Sequence, residues 1–254
     1  MALFMDGPVS SMEDLTAQDS QLLDVAQVEN IDVTQKLALA QDELAVELDT
    51  LLMRFSYTGQ PFWYTAPPRI ATVVVTPPLR MWHTFRALEM VYADAYNSQL
   101  ADRYAGKRDQ FHDRAQWAYG KLVEAGLGVA SDPIPRAGMP QVTSAGGALP
   151  DGTYYITMAW MNRAGEEGAG AVPAVVTIAG STLSVQPGKP PLNATGWKVY
   201  LGGAPDNMVQ QNSSPIAVGG TWLQPNQAVA AGPAPGSGQV PNYLRPAARV
   251  IQRG

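Results

Sequence analysis

Ser131–Pro140, SDPIPRAGMP, is the stretch on which the reading of the fold turns, because three prolines in ten residues remove backbone donors and stop any helix that reaches them. On its N-terminal side apolar residues recur every three or four positions. On its C-terminal side they alternate in short runs broken by Gly, Pro, Asn and Asp. The 254 residues are enough for two cores. Residues 1–130 hold 6 Gly and 6 Pro, whereas the remaining 124 hold 18 and 15. Charge shifts too, from 17 acids and 10 bases (net −7) before the split to 5 acids and 7 bases (net +2) after it. These contrasts predict a helical domain over 1–130, a linker over 131–140, a β domain over 141–234 and an extended tail over 235–254.

In the first half, Ser10 and Glu13 have capping-box spacing, and Leu15, Leu22, Val25 and Ala26 follow at helical intervals, predicting a first helix over about 11–28. Asn30 or Asp32 can cap a second, in which Val33, Leu37, Ala40, Leu44, Leu48 and Leu51 form one stripe to about Phe55. Residues 56–78 read as an irregular, aromatic and proline-rich excursion with a β-prone run at Ile70–Val75. Thr76 is placed to cap a third helix with Pro77 in its first turn and a stripe of Met81, Phe85, Leu88, Tyr92, Ala95 and Tyr96, running to about Tyr104. After a break near Gly106, a fourth carries Phe111, Ala115, Ala118, Leu122 and Ala125, with Gly126 placed to end it. Four helices with one apolar face each predict an antiparallel bundle.

The second half changes period. Gly152–Met161 sets Tyr155, Thr157 and Ala159 against Tyr154, Ile156, Met158 and Trp160, so both faces read as partly buried. Further strands are expected at Ala174–Ile178, Thr182–Val185, Trp197–Leu201, Ile216–Val218 and Thr221–Leu223. Short strands at such spacing predict an antiparallel β-sandwich of the immunoglobulin or fibronectin type. From Ala230 to Gly254 the chain is rich in Gly, Pro and Ala and carries Arg245, Arg249 and Arg253, which reads as a basic tail outside either core.

Composition narrows function. A net charge of −5 and a pI near 5.0 argue against electrostatic grip on nucleic acid or an anionic membrane, though not against a protein that surrounds DNA. The absence of cysteine removes disulfides and thiolate chemistry, and only two histidines, His83 and His112, remain for metal or proton transfer. No catalytic, cofactor-binding or metal-binding residues are assigned. Nothing at the N-terminus reads as a secretory signal and no run reads as a membrane span, so a soluble, cytoplasmic chain is expected.

Three stretches of the first half are distinctive as a set: DLTAQDSQLLDVAQVENIDVTQKLALAQDEL (14–44), VVVTPPLRMWHTFRALEMVYADAYNSQLADRYAGKRDQF (73–111) and RAQWAYGKLVEAGLGVASDPIPR (114–136). Together they resemble the helical head-to-tail adaptor, or connector, proteins of tailed bacteriophages. In the second half, GWKVYLGGAPDNMVQQNSSPIAVGGTW (196–222) is similar to the immunoglobulin-like or fibronectin-type decorations of phage virion proteins. The resemblance implies a dodecameric homo-oligomeric ring beneath the portal protein, at the neck of the virion and assembled in the host cytoplasm. Such a ring lengthens the DNA channel and docks a head-completion or tail protein. DNA passes through the lumen without sequence-specific binding, and an acidic helical half fits a channel that does not hold the duplex. The aromatic insertion at Tyr57–Pro68 and the β domain depart from the simplest adaptor, and the β domain is expected on the outside of the ring.

Individual residues carry open alternatives. His83 and His112 read as solvent-facing or hydrogen-bonded structural histidines ahead of metal ligands. Asp42 and Glu43, and Glu166 and Glu167, read as solvated surface, and Gly168, Gly170, Gly202 and Gly203 as turn residues. Arg103, Lys107, Arg108, Arg114 and Lys121 interleave with Asp102, Asp109 and Asp113, which fits a salt-laced exposed face or an ionic contact to another subunit or to the portal. Phe62, Trp63 and Tyr64 call for burial, against the bundle or against a neighbouring subunit. The segment YLRPAARVIQRG (243–254) reads either as disordered or as an arm that orders on a neighbouring adaptor or the portal. Its apolar anchors would be Tyr243, Leu244, Val250 and Ile251, with Arg245 and Arg249 beside them. The rival reading is an oligomeric binding module whose β domain recognises a glycan or host surface. It requires Tyr154, Trp160, Trp197 or Trp222 to line an open groove.

Overall fold

The computed structural model describes residues 1–56, 69–99, 102–225, 231–235 and 238–245. Among them the helices are α1 (Met12–Gln18), α2 (Leu22–Glu29), α3 (Val33–Ser56), α4 (Pro77–Gln99) and α5 (Ala105–Ala125). The strands are β1 (Leu127–Val129), β2 (Gln141–Gly146), β3 (Gly152–Met161), β4 (Ala174–Ile178), β5 (Ser181–Gln186), β6 (Gly196–Gly202), β7 (Val209–Gln210), β8 (Ile216–Ala217), β9 (Trp222–Leu223) and β10 (Asn242–Leu244). All their pairings are antiparallel, so the chain is α plus β. It divides into two compact units, Gly7–Ser131 with Pro241–Gly254 and Met1–Asp6 with Asp132–Val240. No helix among the described residues is long and apolar enough to cross a membrane.

In the helical unit, α1 opens on a reciprocal box: Ser11 Oγ accepts from the Asp14 amide (3.2 Å) and the Asp14 carboxylate accepts from the Ser11 amide (2.8 Å). This is one residue later than the Ser10 and Glu13 spacing predicts, because Ser10 is buried and its hydroxyl is bound to Thr84 and His83. The single helix expected over about 11–28 is two helices. Asp19 breaks them with extended backbone (φ −145°, ψ 104°), its carboxylate accepting from the Gln21 amide at 3.1 Å. Asn30, in the left-handed region at φ 55°, ends α2, and Asp32 Oδ1 accepts from the Gln35 amide (3.0 Å) to open α3.

α3 buries Ala40, Leu44, Leu48 and Leu51, as its spacing predicts. α4 differs from the single stripe expected. Leu79, Trp82, Phe85, Ala87, Leu88, Val91, Tyr92 and Ala95 are all buried and lie round most of its circumference, because α1, α2, α3 and α5 all pack on it. Thr76 precedes it and its carbonyl takes the Arg80 amide (2.9 Å), but its buried hydroxyl has no hydrogen-bond partner among the described residues and caps nothing. Gly126 ends α5 at φ +97°, as expected. β1 then pairs with β10, Leu127 opposite Leu244. Leu244 is buried, so this part of the expected tail belongs to the helical unit, held by a backbone ladder that apolar counting does not reveal.

In the β unit, one sheet has the order β2-β5-β9 and the other β4-β3-β6-β7, with β8 also on β6. Ile156, Met158 and Trp160 of β3 enter one cluster with Trp197, Val199 and Leu201 of β6 and with Leu183, Val185 and Trp222 from the other sheet. The opposite face of β3 and β6 is covered as well, around Ala159, Tyr200 and Met208. Strands β3, β4, β5, β6, β8 and β9 fall within one or two residues of the expected runs. Ile134 and Ala137, within the stretch read as a linker, are buried in the same cluster. Gln239 fixes that stretch, its side-chain oxygen accepting from the Ile134 amide (2.8 Å) and its side-chain nitrogen donating to the Ile134 carbonyl (3.0 Å).

Candidate functional site

The basic cluster sits where α5 begins, and the three cations singled out there bind carboxylates of their own chain. Lys107 reaches Asp19 at 2.9 Å, and Tyr92 donates to the same carboxylate at 2.7 Å. Burial pushes the Asp19 carboxyl up, but the hydrogen bonds from Tyr92, Lys107 and the Gln21 amide outweigh it and hold the group below its ordinary value. Arg103 pairs with Glu29, which also accepts from Ser98 (2.7 Å) and Tyr104 (2.9 Å). The Ser98 bond leads in holding Glu29 below its ordinary value, against the burial that raises it. Arg108 pairs with the adjacent Asp109 (2.8 Å) and lies over the Tyr96 ring at 4.6 Å. The first set joins the break between α1 and α2 to α4 and the start of α5, and the second joins the end of α2 to the end of α4 and the residues just before α5.

Tyr243, Leu244 and Arg245 lie at the other end of α5, where Arg245 Nε donates to the Ala125 carbonyl at 3.0 Å. α5 has 21 residues, so the two groups of site residues are separated by about 30 Å along the helix. The structure does not bring them together. Phe62, Trp63, Tyr64, Arg249, Val250 and Ile251 lie outside the described residues.

Sequence reasoning passed over a cleft in the helical unit. It has a volume of about 580 Å³ and lies between α3, α4 and α5. Trp82 and Tyr119 meet in it with ring centroids 5.0 Å apart. Arg86 spans it, holding Glu43 and Glu89 at 2.7 Å each, and the two carboxylates raise the guanidinium above its ordinary value although burial opposes them. His112 Nδ1 lies 2.9 Å from Glu89, while Glu47 on the same wall has no ion pair among the described residues. The missed signal was Trp82 itself, one position off the stripe read for this helix.

A second feature is apolar. Leu39, Val46 and Met53 on α3 are 43, 69 and 68% exposed, and Trp117 on α5 is 52% exposed. The seven-residue spacing of the α3 group was visible in the sequence but falls outside the stripe that Leu44, Leu48 and Leu51 define. These side chains supply apolar contact area on two long helices, without groups that transfer protons or bind a ligand. His83, by contrast, is fully buried and hydrogen-bonded to Ser10 and the Leu37 carbonyl. Among the described residues no three His, Asp or Glu side chains are grouped to hold a metal ion. Known protein families, curated proteins and solved structures give no match to this chain.

Proposed function

We propose that this chain is a structural protein of a tailed-phage neck, whose copies form a dodecameric ring that joins the portal to the tail or head-completion protein and extends the DNA channel. The observation that carries this reading is the uncovered apolar surface of α3 and α5, at Leu39, Val46, Met53 and Trp117. Large apolar groups left in water on neighbouring helices mark a surface for another protein, and copies of the same chain supply one at high local concentration. The net charge of −7 over residues 1–130 supports a lumen that repels the duplex. In this reading the helical unit is an antiparallel bundle centred on α4. The β unit is an immunoglobulin- or fibronectin-like sandwich, supported by the single cluster that both sheets feed.

The rival glycan-binding reading needs an aromatic platform in an open groove. Tyr154, Trp160, Trp197 and Trp222 instead lie together in the β core, which favours the structural reading.

The test is a phage lacking this protein, complemented by the wild-type chain. Expected are particles that fail to join tails and lose their genome, with a ring density at the neck restored on complementation. Tailed particles that retain DNA without the protein overturn the proposal.

A further inference from the structure

We infer that the outward face of α3 in one copy packs against the outward face of α5 in the next, a head-to-tail contact between two copies of this chain. The inference rests on the ring reading and names the surfaces that make it.

Leu39, Val46 and Met53 lie half a turn round α3 from buried Leu44, Leu48 and Leu51, on its outward side, and Val46 also borders the cleft that Trp82 of α4 lines. Asp42 and Asp49 stand on the same outward face, also seven apart. Both are exposed, and neither has an ion pair among the described residues. This row therefore offers apolar contact with acid only. On α5, Arg114 and Lys121 flank exposed Trp117 three positions before and four after it. Arg114 meets no carboxylate among the described residues; its neighbours there are the Gln18 side-chain oxygen at 3.5 Å and the Phe85 ring at 5.6 Å. Lys121 holds Glu124 at 2.7 Å, and Asp113 lies on the same side. The helices as wholes follow the same sense: α3 has four acids and two bases, α5 four bases and three acids.

Leu39, Val46 and Met53 cover about 21 Å of α3, and Arg114, Trp117 and Lys121 about 10 Å of α5. Pairing α3 with α3 sets Asp42 and Asp49 against themselves, whereas pairing α3 with α5 brings them to Arg114, which holds no carboxylate among the described residues. Pairing α3 with α5 places a tryptophan, the commonest energetic anchor of interfaces, among Leu39, Val46 and Met53, with opposite charges alongside. α4 packs on both helices, and in the inferred contact each subunit offers its α3 row to one neighbour and its α5 row to the other. The contact is heterologous and repeats until the ring closes.

The chain contains no cysteine, which makes cross-linking direct. Val46→Cys and Trp117→Cys are introduced singly and together, and oxidised in complemented virions and in the purified full chain. The double variant is expected to give a ladder of covalent oligomers and a mixture of the singles to give dimers, while each single alone gives none. Reversing Asp42 and Asp49 to Lys is expected to abolish the ladder, and adding Arg114→Glu with Lys121→Glu in the same chain to restore it. Dimers from either single variant overturn the inference in favour of a like-with-like contact. Neck rings visible by electron microscopy without any 46–117 cross-link overturn it while leaving the ring reading intact. Virions without a ring of this chain overturn both.

Discussion

His83 Nδ1 lies 2.9 Å from Ser10 Oγ, and the other ring nitrogen lies 3.1 Å from the Leu37 carbonyl oxygen. A carbonyl only accepts, so the proton sits on Nε2 and Nδ1 accepts the Ser10 hydroxyl. One imidazole thus ties the segment before α1 to α3 and α4 without any charge.

Burial lowers the His83 pKa below its ordinary 6.5, outweighing the Leu37 carbonyl and the Asp14 charge. The unfolded chain therefore binds a proton that the folded chain refuses. Stability from this group is complete above about 6.5 and is lost as pH falls from there towards the lowered folded value. Urea unfolding of wild type at about pH 7 and about pH 5 is expected to show a loss that is smaller in His83→Gln. Equal losses in the two proteins would exclude His83 as the source.

Asp19 couples the break between α1 and α2 to Tyr92 and Lys107. Replacing it by Ala strands a buried phenol and a half-buried ammonium, a cost of about 2–3 kcal/mol. Lys107→Met in the Asp19→Ala background is expected to recover part of that loss, read as a coupling energy in a double-mutant cycle. Strict additivity refutes the clamp.

Gly128 sits where a Cβ would come within 2.7 Å of Thr76 Cγ2 and 3.0 Å of Pro241 Cβ. Gly128→Val is expected to destabilise the helical unit by about 1–3 kcal/mol through overpacking of the β1–β10 ladder. Faster hydrogen exchange of the Val74 amide, which donates to the Gly128 carbonyl at 2.9 Å, is the diagnostic readout. Unchanged exchange rules out close approach as the reason for glycine.

Asp6 accepts from the Leu3 amide at 2.7 Å and from the Arg136 amide at 2.6 Å. Asp6→Ala is expected to cost the β unit about 1–2 kcal/mol, measured as a lowered midpoint of the transition followed by tryptophan fluorescence. A transition unaffected by the change would show that the first six residues contribute nothing there.

Much of the architecture is legible from spacing alone. Leu44, Leu48 and Leu51 announce α3, and Ile156, Met158 and Trp160 announce β3, because one buried face leaves a clean period in the sequence. Where the environment is unusual the period fails. α4 is enclosed on most sides, so its stripe dissolves into a run. β2, with Val142 only partly buried, is held by its backbone ladder to β5 and leaves almost no apolar trace. Asp19 reads as an ordinary helix residue until the partners 73 and 88 positions away are known. At the candidate interface the cations were legible, but the carboxylates of Arg103 and Lys107 came from distant segments, Glu29 and Asp19, and the exposed row of Leu39, Val46 and Met53 was hidden by the stronger buried stripe beside it.

The chain crosses between its two units three times, after Asp6, Ser131 and Val240. Translation must therefore run through the whole β unit before Asn242–Leu244 emerge to close the ladder on Leu127–Val129. Meanwhile the first six residues wait for Arg136 and Gln239 to leave the ribosome. A nascent polypeptide released early carries an unsealed seam in both halves, so only synthesis past Leu244 completes both units.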